Sequence, residues 1–244
     1  LRRLFQLNNY ICRDTVRYHY SKLIALLDGF GSYQLMKVMG QTFFMPTSTV
    51  YNIDCLEYLK TVPDKYFELA IVDPPYGINL SSNPFRQKQE KKNWDSEIPN
   101  EEYFNELNRV SSNQIIWGGN YFNLPPSQGF LIWDKVQPRN FSSAMCEMAW
   151  MSLQSPAKIF KKHVVTAEPN KIHPTQKPVA LYRWLLENYA KQGDKILDTH
   201  MGSQSSRIAA YDMGFDFVGC ELDKDYFEAG NKRFELFKSQ GKLF

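Results

Sequence analysis

The residues best placed to do chemistry lie in AIVDPPYGIN, Ala70 to Asn79. A short apolar run there ends on Asp73, followed by Pro74, Pro75 and Tyr76. An aspartate at the carboxyl end of a buried parallel strand faces the crevice where α/β proteins bind ligands. Two prolines remove two N–H donors and fix φ, and the residue before a proline is driven extended. The turn is therefore stiff and presents acceptors without competing donors: the Asp73 carboxylate and the Pro74 carbonyl. Two acceptors suit a group with two hydrogens, an amine, and Tyr76 offers a flat face to the ring that carries it. That combination fits the exocyclic amine of a nucleobase. The plain alternative is a strand terminator with Tyr76 in the core.

A second candidate is KILDTHMGSQSSRIAAYDMG, Lys195 to Gly214, which reads as strand, tight turn of small residues and helix. Gly202 allows a sharp turn and close approach of a ligand, and the helix N-terminus behind it is electropositive. FVGCEL follows, with Glu221 at the separation expected of an acid that binds ribose hydroxyls. The turn has one glycine and no GxGxxG, which weakens a dinucleotide reading. There is no GxxxxGK[ST], so no phosphate loop is expected.

These pieces need an α/β frame, and the pattern from Val50 onward supplies one. Apolar runs alternate with amphipathic stretches, which predicts a largely parallel sheet. TVYNID is expected as a strand ending at Asp54, CLEYLKTV as a short helix and ELAIV as the strand before Asp73. EEYFNELNRV reads as helix and QIIWGG as strand. FLIWDK and CEMAWMSL read as strands close enough to pair antiparallel. PVALYRWLLENYA reads as a helix opened by proline. KILD, QSSRIAAYDMG, DFVGCEL and DKDYFEAGNKRFELFKS complete the alternation as strand, helix, strand and helix.

The whole chain sets the class. Its 244 residues are 43% hydrophobic and 23% charged, enough for one large domain with a real core. No apolar run is long enough to cross a bilayer, so no membrane is expected. Cys12, Cys55, Cys146 and Cys220 show no metal-type spacing and the four histidines no HExxH, so no metal is expected. Reduced thiols fit a cytoplasmic protein. The net charge of +3 comes from residues 1–45, the rest being near neutral. Basic residues also gather at Arg86 to Lys92 and at Lys158 to His163. They read as solvated faces, or as local phosphate contacts.

Residues 1–45 do not begin with Met, and Met36, Met39 and Met45 precede the first clear strand. YHYSKLIALLDGF is expected as a short helix ending at Gly29. The segment reads as an accessory element, as sequence ahead of the true start or as a piece of something larger. It has no assigned function. The opening residues lack the apolar segment and cleavage site of a secretory signal.

DPPY, then HPTQKP (His173 to Pro178), then ILDTHMGSQS and VGCELDKDYFEAGNKRF, resemble the amino-specific, N6-adenine/N4-cytosine DNA methyltransferases. The order, DPPY before the cofactor loop, is similar to that family's permuted β group. IIWGGNYF, and FLIWDK with the later Glu147 and Trp150, also fit, and the resemblance covers roughly residues 48–240.

The resemblance implies a Rossmann-like S-adenosylmethionine-dependent methyltransferase fold, α/β, with a mostly parallel central sheet and an antiparallel portion. It implies a single domain over 46–244: a catalytic half 46–153, a short target-recognition segment 154–172 and a cofactor half 173–244. Asp73, Pro74, Pro75 and Tyr76 would form the catalytic turn, with Tyr76 on the flipped base. Asp198, Gly202 and Ser203 would surround the methionine part of S-adenosyl-L-methionine. Glu221 would take the ribose hydroxyls, and Asp54 would lie near the adenine. Thr175 and Lys177 would lie near the methionine end, unless Lys177 is a surface charge before its helix.

The implied activity is methyl transfer to adenine N6 in double-stranded DNA, by direct transfer to a flipped base. Members acting on cytosine N4 more often carry Ser at the Asp73 position. The chain is expected to act as a monomer or homodimer, and a restriction-modification role belongs to the same resemblance. The polar loop Leu80 to Pro99, with Trp94, would close over the base, follow the phosphates or be simple surface.

The chain departs from the family at the loop DTHMGSQ. Thr199 replaces Pro, His200 replaces Phe and Gln204 replaces the second Gly, which puts cofactor affinity in question. The alternatives are an N4-cytosine enzyme, an RNA or protein-amide enzyme, or a DNA-binding protein with a decayed cofactor site.

Overall fold

The structure, a computed structural model, is described for residues 35–38, 41–44, 46–78, 97–138, 144–163 and 171–240. The helix expected before Gly29, the cluster Arg86 to Lys92 and the loop around Trp94 lie outside the described residues. The chain divides into two compact units, residues 46–234, and residues 1–45 with 235–244. In the second unit, β1 (Leu35–Val38) and β2 (Gln41–Phe44) pair antiparallel, two strands that the sequence pattern did not mark.

The larger unit is built on a sheet of eight strands among the described residues. In chain order the elements are β3 (Ser48–Tyr51), α1 (Cys55–Lys60), β4 (Phe67–Val72), α2 (Glu101–Val110), β5 (Ser111–Trp117), β6 (Phe130–Asp134), β7 (Cys146–Met151), β8 (Lys158–Lys161), α3 (Val179–Tyr189), β9 (Lys195–Asp198), α4 (Ser205–Met213), β10 (Asp216–Cys220) and α5 (Lys224–Ser239), the last reaching into the other unit. The strand order is β3-β10-β9-β4-β5-β7-β6-β8. Only β7 runs against its neighbours, β5 and β6. The antiparallel portion read from FLIWDK and CEMAWMSL is this pair.

Strand β4 reads FELAIV, a near-continuous apolar run, because helices cover both its faces. Leu69 and Ile71 pack with Leu181, Leu185 and Ile196 on one face, the side of α3 and α4. Ala70 and Val72 pack with Leu59, Leu107 and Leu197 on the other, the side of α1 and α2. Helix α2 starts where the Asn100 side chain accepts from the Tyr103 N–H at 3.0 Å. Helix α4 stops at Gly214.

Three expectations shift. Asp54 does not end β3, which stops at Tyr51; its carboxylate caps α1, accepting from the Leu56 and Glu57 N–H groups at 2.8 and 3.2 Å. Pro178 caps α3 from outside the helix. KIFK, read as part of a basic cluster, is the edge strand β8, paired parallel with β6. Phe160 packs on Trp184 with ring centroids 5.5 Å apart, and Lys158 donates to Asn188 at 2.7 Å. The described part of the expected recognition segment 154–172 thus includes a sheet edge, Lys158–Lys161.

Strand β4 lies between β9 and β5, so the order reverses beside it, and a crevice opens at the carboxyl ends of β4, β9 and β10. The packing of α3 against the sheet holds that crevice's rear wall. Leu185→Ala, at a fully buried position, is expected to cost about 2–5 kcal/mol. Urea unfolding checks this, and a lower midpoint at unchanged slope is the expected result.

Candidate active site

The crevice holds a cavity of about 300 Å³. Asp54, Asp73, Pro75, Thr175, Lys177, Gly202, Ser203 and Glu221 all line it, together with Ile53, Met201, Leu222 and Tyr226. Residues as far apart in the chain as Asp54 and Glu221 thus face one space. Pro74 is buried beneath the turn, Asp198 is buried beneath the loop and Tyr76 is half-buried; none of the three is among the lining residues.

At the mouth of β4 the turn is fastened on itself. The Tyr76 hydroxyl donates to Asp73 Oδ1 at 2.6 Å. The Tyr76 ring stacks on Tyr121, centroids 4.9 Å apart and planes 13° apart. This packing depends on Gly118, which sits at φ +70°, where a Cβ would come within 2.2 Å of the Tyr76 ring. Of the glycines that close QIIWGG, Gly118 thus makes room for the turn after β4, and Gly119 makes room for Trp150 of β7.

Lys177 is no surface charge. Its side chain is 2% exposed, its ammonium donates to Asp73 Oδ2, and it lies 3.1 Å from Glu147 Oε2. Glu147 Oε1 in turn meets the Lys135 ammonium at 2.5 Å. Burial pulls the Lys177 ammonium down, but Asp73 and Glu147 outweigh it and its pKa rises. Burial likewise opposes the Glu147 charge, yet Lys177 and Lys135 hold its carboxyl at about 2. Burial raises Asp73, with Lys177 pulling it down and Glu147 pushing it up. Glu147 and Lys135 appeared in the sequence only as pieces of motif, Lys135 as the last residue of FLIWDK. The one signal was a glutamate interrupting an otherwise apolar strand, CEMAWM.

The loop after β9 is organised by carboxylates. Asp198 accepts from the His200 N–H at 3.0 Å and from Ser206 Oγ at 2.5 Å, shaping the loop from below. Burial pushes its carboxyl up to about 7. Gly202, at φ +47°, turns its N–H to Glu221 Oε2 at 2.8 Å, while Glu221 Oε1 accepts from the Asp223 N–H at 2.9 Å. Burial raises Glu221. Thr175 Oγ1 lies 3.1 Å from His173 Nδ1, and His173 packs edge-on to Tyr226.

Each departure in DTHMGSQ has a partner. Thr199 Oγ1 bridges the Tyr103 hydroxyl at 2.7 Å and His200 Nδ1 at 2.9 Å. His200 Nε2 lies 3.7 Å from Cys55 Sγ, and its ring packs edge-on to Tyr103. Burial lowers the imidazole to about 4, so it is neutral at pH 7. Gln204 adopts φ +59° and is fully buried. It accepts from Arg207 at 2.8 Å and donates to Asn231 and to the Phe227 carbonyl. Its side chain fills the space over Gly230, where a Cβ would meet it at 2.6 Å. Arg233 ties α5 to the Ser203 carbonyl at 2.7 Å.

Comparison with known proteins follows this geometry. Residues 116–232 match the family model described as DNA methylase. The chain is 23% identical over 248 residues to the type II methyltransferase M.HinfI of Haemophilus influenzae, across 78% of this chain and 69% of that one. It is 25% identical over 200 residues to the putative methylase YubD of Escherichia coli K12, across 74% and 87%. Over residues 116–232 the chain is similar to the N6/N4 DNA methyltransferases.

Among solved structures, the M1.HpyAVI–SAM complex aligns at TM-score 0.53 and 21% identity, over 76% of this chain and 98% of that one. The cytosine-N4-specific PvuII DNA methyltransferase aligns at TM-score 0.53 and 14% identity, over 79% and 91%. The fold is thus the DNA methyltransferase fold, a mostly parallel sheet with an antiparallel portion. The N6/N4 family match takes in Glu147, Lys177, Asp198 and Glu221, while Asp73 precedes it. Among the described residues no helix is long and apolar enough to cross a membrane, and no cluster of His, Cys, Asp and Glu is fit to hold a metal.

The half-buried histidine has a pH signature. Unfolded, an imidazole titrates near 6.5. Folded His200 refuses the proton until about pH 4, so it removes stability as pH falls from 6.5 toward 4. Asp198 acts with the opposite sign, holding in the fold a proton that the unfolded chain has released between 3.8 and about 7. His200→Gln removes only the first effect. From pH 7.5 to 5 it is expected to lose about 2 kcal/mol less stability than the wild type, measured by urea unfolding at both pH values. An equal loss in both proteins refutes the assignment.

Proposed function

We propose that this chain transfers a methyl group from S-adenosyl-L-methionine to the N6 amine of adenine in double-stranded DNA. The observation that carries the reading is the single cavity that joins Asp73 of the DPPY turn to Gly202 and Glu221 of the cofactor loop.

The lining fits that cofactor. Its volume falls at the lower end of small-ligand sites. Asp54, Glu221 and Asp223 offer carboxylates to hydroxyls and to a cationic ligand, and Ile53, Met201 and Leu222 offer apolar walls. Among the lining residues Lys177 is the only Lys or Arg, and it is committed to two carboxylates. Such a donor set suits a cationic sulfonium nucleoside and disfavours a phosphorylated one. Asp54, Thr175, Gly202, Ser203 and Glu221 would hold the cofactor, with Asp198 shaping the loop from behind and Lys177 at the boundary with the base. When bound, the cofactor supplies a methyl group already activated on sulfur.

The chain's own residues do the rest by placement and electrostatics. An exocyclic amine is a weak nucleophile because its lone pair is shared with the ring. Asp73 and the Pro74 carbonyl accept its two hydrogens, which favours a pyramidal nitrogen and frees the lone pair. Pro75 keeps the turn rigid and without a donor. Tyr76 takes the base ring by stacking, and its packing on Tyr121 displays that capacity. No cysteine is needed; burial pushes the nearest, Cys55, up to about 12, where it is an inert thiol. The target base leaves the duplex first, at a cost of a few kcal/mol.

Adenine is favoured over cytosine by Asp in DPPY. A cytoplasmic setting, a monomer or homodimer and a restriction-modification role belong to the same proposal.

Purified protein is incubated with unmethylated DNA and labelled S-adenosyl-L-methionine, and the product is digested to nucleosides. N6-methyladenine is the expected product. N4-methylcytosine would correct the base, and no transfer to DNA would overturn the reading. Asp73→Ala is expected to abolish transfer and leave cofactor binding by calorimetry intact. Glu221→Ala is expected to weaken that binding by roughly ten- to a hundredfold, the worth of a charged hydrogen bond.

A further inference from the structure

Both oxygens of Asp73 are engaged: Oδ1 by the Tyr76 hydroxyl and Oδ2 by Lys177. Lys177 reaches a second carboxylate, Glu147, 3.1 Å away on β7, and Lys135 backs Glu147. Charges alternate along this row: Asp73, Lys177, Glu147, Lys135. Lys177 also lies between two aromatic faces, Trp117 at 5.4 Å and Tyr76 at 5.8 Å, and is shut off from water. Among these charged groups, binding an amine requires only Asp73, with the Pro74 carbonyl beside it. A second buried carboxylate adds desolvation cost without touching the base, so its presence needs its own reason.

The reason lies in the proton inventory, given the methyl-transfer reading above. The amine nitrogen bonds to the methyl carbon as the carbon–sulfur bond breaks, and the sulfur leaves as a neutral thioether. The nitrogen then carries a positive charge until one N–H proton departs. Asp73 is the base within reach. Once it is protonated its charge is gone, and a buried ammonium with no other partner would be stranded, at a cost of several kcal/mol.

We propose that Glu147 and Lys177 are positioning residues: Lys177 aims the Asp73 carboxylate, and Glu147 keeps Lys177 neutralised while Asp73 holds the proton taken from the amine. Neither touches the base. The titratable and charged groups that face Asp73 are Tyr76 on its own turn, Lys177 from the segment before α3, Glu147 from β7 with Lys135 behind it, Tyr182 from α3 and Asp198 at the end of β9. Glu147 pushes the Asp73 proton affinity up and Lys177 pulls it down. Their removal therefore acts in opposite directions.

The test follows single-turnover methyl transfer to DNA against pH, with cofactor binding measured by calorimetry. In Glu147→Gln the acid limb of the rate profile is expected to move to lower pH. In Lys177→Gln it is expected to move to higher pH. Both plateaus are expected to fall by up to about a hundredfold, with cofactor affinity unchanged in Glu147→Gln. Glu147→Asp, which keeps the charge, is expected to restore the limb. An active wild type whose variants lose rate with limbs unmoved, or moved in one direction, would reduce the row to packing and overturn the inference alone. A wild type silent on DNA would overturn it together with the reading it rests on. Should Glu147→Gln fail to fold, Lys135→Gln carries the test: loss of the outer cation is expected to move the limb upward, and an unmoved limb overturns the inference.

Discussion

The buried ammonium of Lys177 ties the larger unit's chemistry to its architecture. Its side chain comes from the segment ahead of α3, and its two counter-ions stand beyond β4 and on β7, the strand inverted in the sheet. A cation so deeply buried tolerates little displacement of either partner. The antiparallel strand is therefore needed for more than closing one side of the sheet. It delivers Glu147 to within reach of the turn that β4 presents. Gly118 after β5 serves the same end, because it leaves room for the ring that completes the hold on Asp73.

Much of the frame was legible because local pattern and tertiary role agree. ELAIV reads as a strand buried on both faces and is one. EEYFNELNRV reads as a helix, and α2 covers those ten residues. The strand-end carboxylates Asp73 and Glu221 could be picked out because a charge at the close of an apolar run is conspicuous. Other features resisted for physical reasons. Asp54 follows a strand pattern, yet its side chain is used by the next helix, a competition that short-range sequence leaves undecided. KIFK has lysines at both ends, and charged residues on an edge strand mimic a solvated loop. The pairing of Lys177 with Asp73 spans 104 residues and obeys no periodicity, so only the fold reveals it.

The loop DTHMGSQ shows how departures from a pattern can form a set. Thr199 and His200 join a row of polar groups from Tyr103 to Cys55. Gln204 occupies volume left open by Gly230 and engages Arg207 and Asn231, so its partners lie on α4 and α5. Arg207 in turn reaches Ser48 Oγ at 2.8 Å and stacks over Phe234. A substitution at Gln204 alone would take an acceptor from Arg207 on α4 and a donor from Asn231 Oδ1 and the Phe227 carbonyl on α5, which makes the loop's identity a property of the surrounding packing.

The sheet order also governs how the molecule is made. Strand β4 finds its inner neighbour in β9, through pairs such as Ala70 with Leu197, more than a hundred residues later. A ribosome delivers the chain at roughly 5–20 residues per second. For several seconds, then, the most apolar strand carries an unpaired edge while its partner is still unsynthesised. Such contacts close slowly, and open edges invite association with other chains. The arrangement that unites two distant motifs in one crevice leaves the nascent polypeptide exposed to aggregation until its final third emerges.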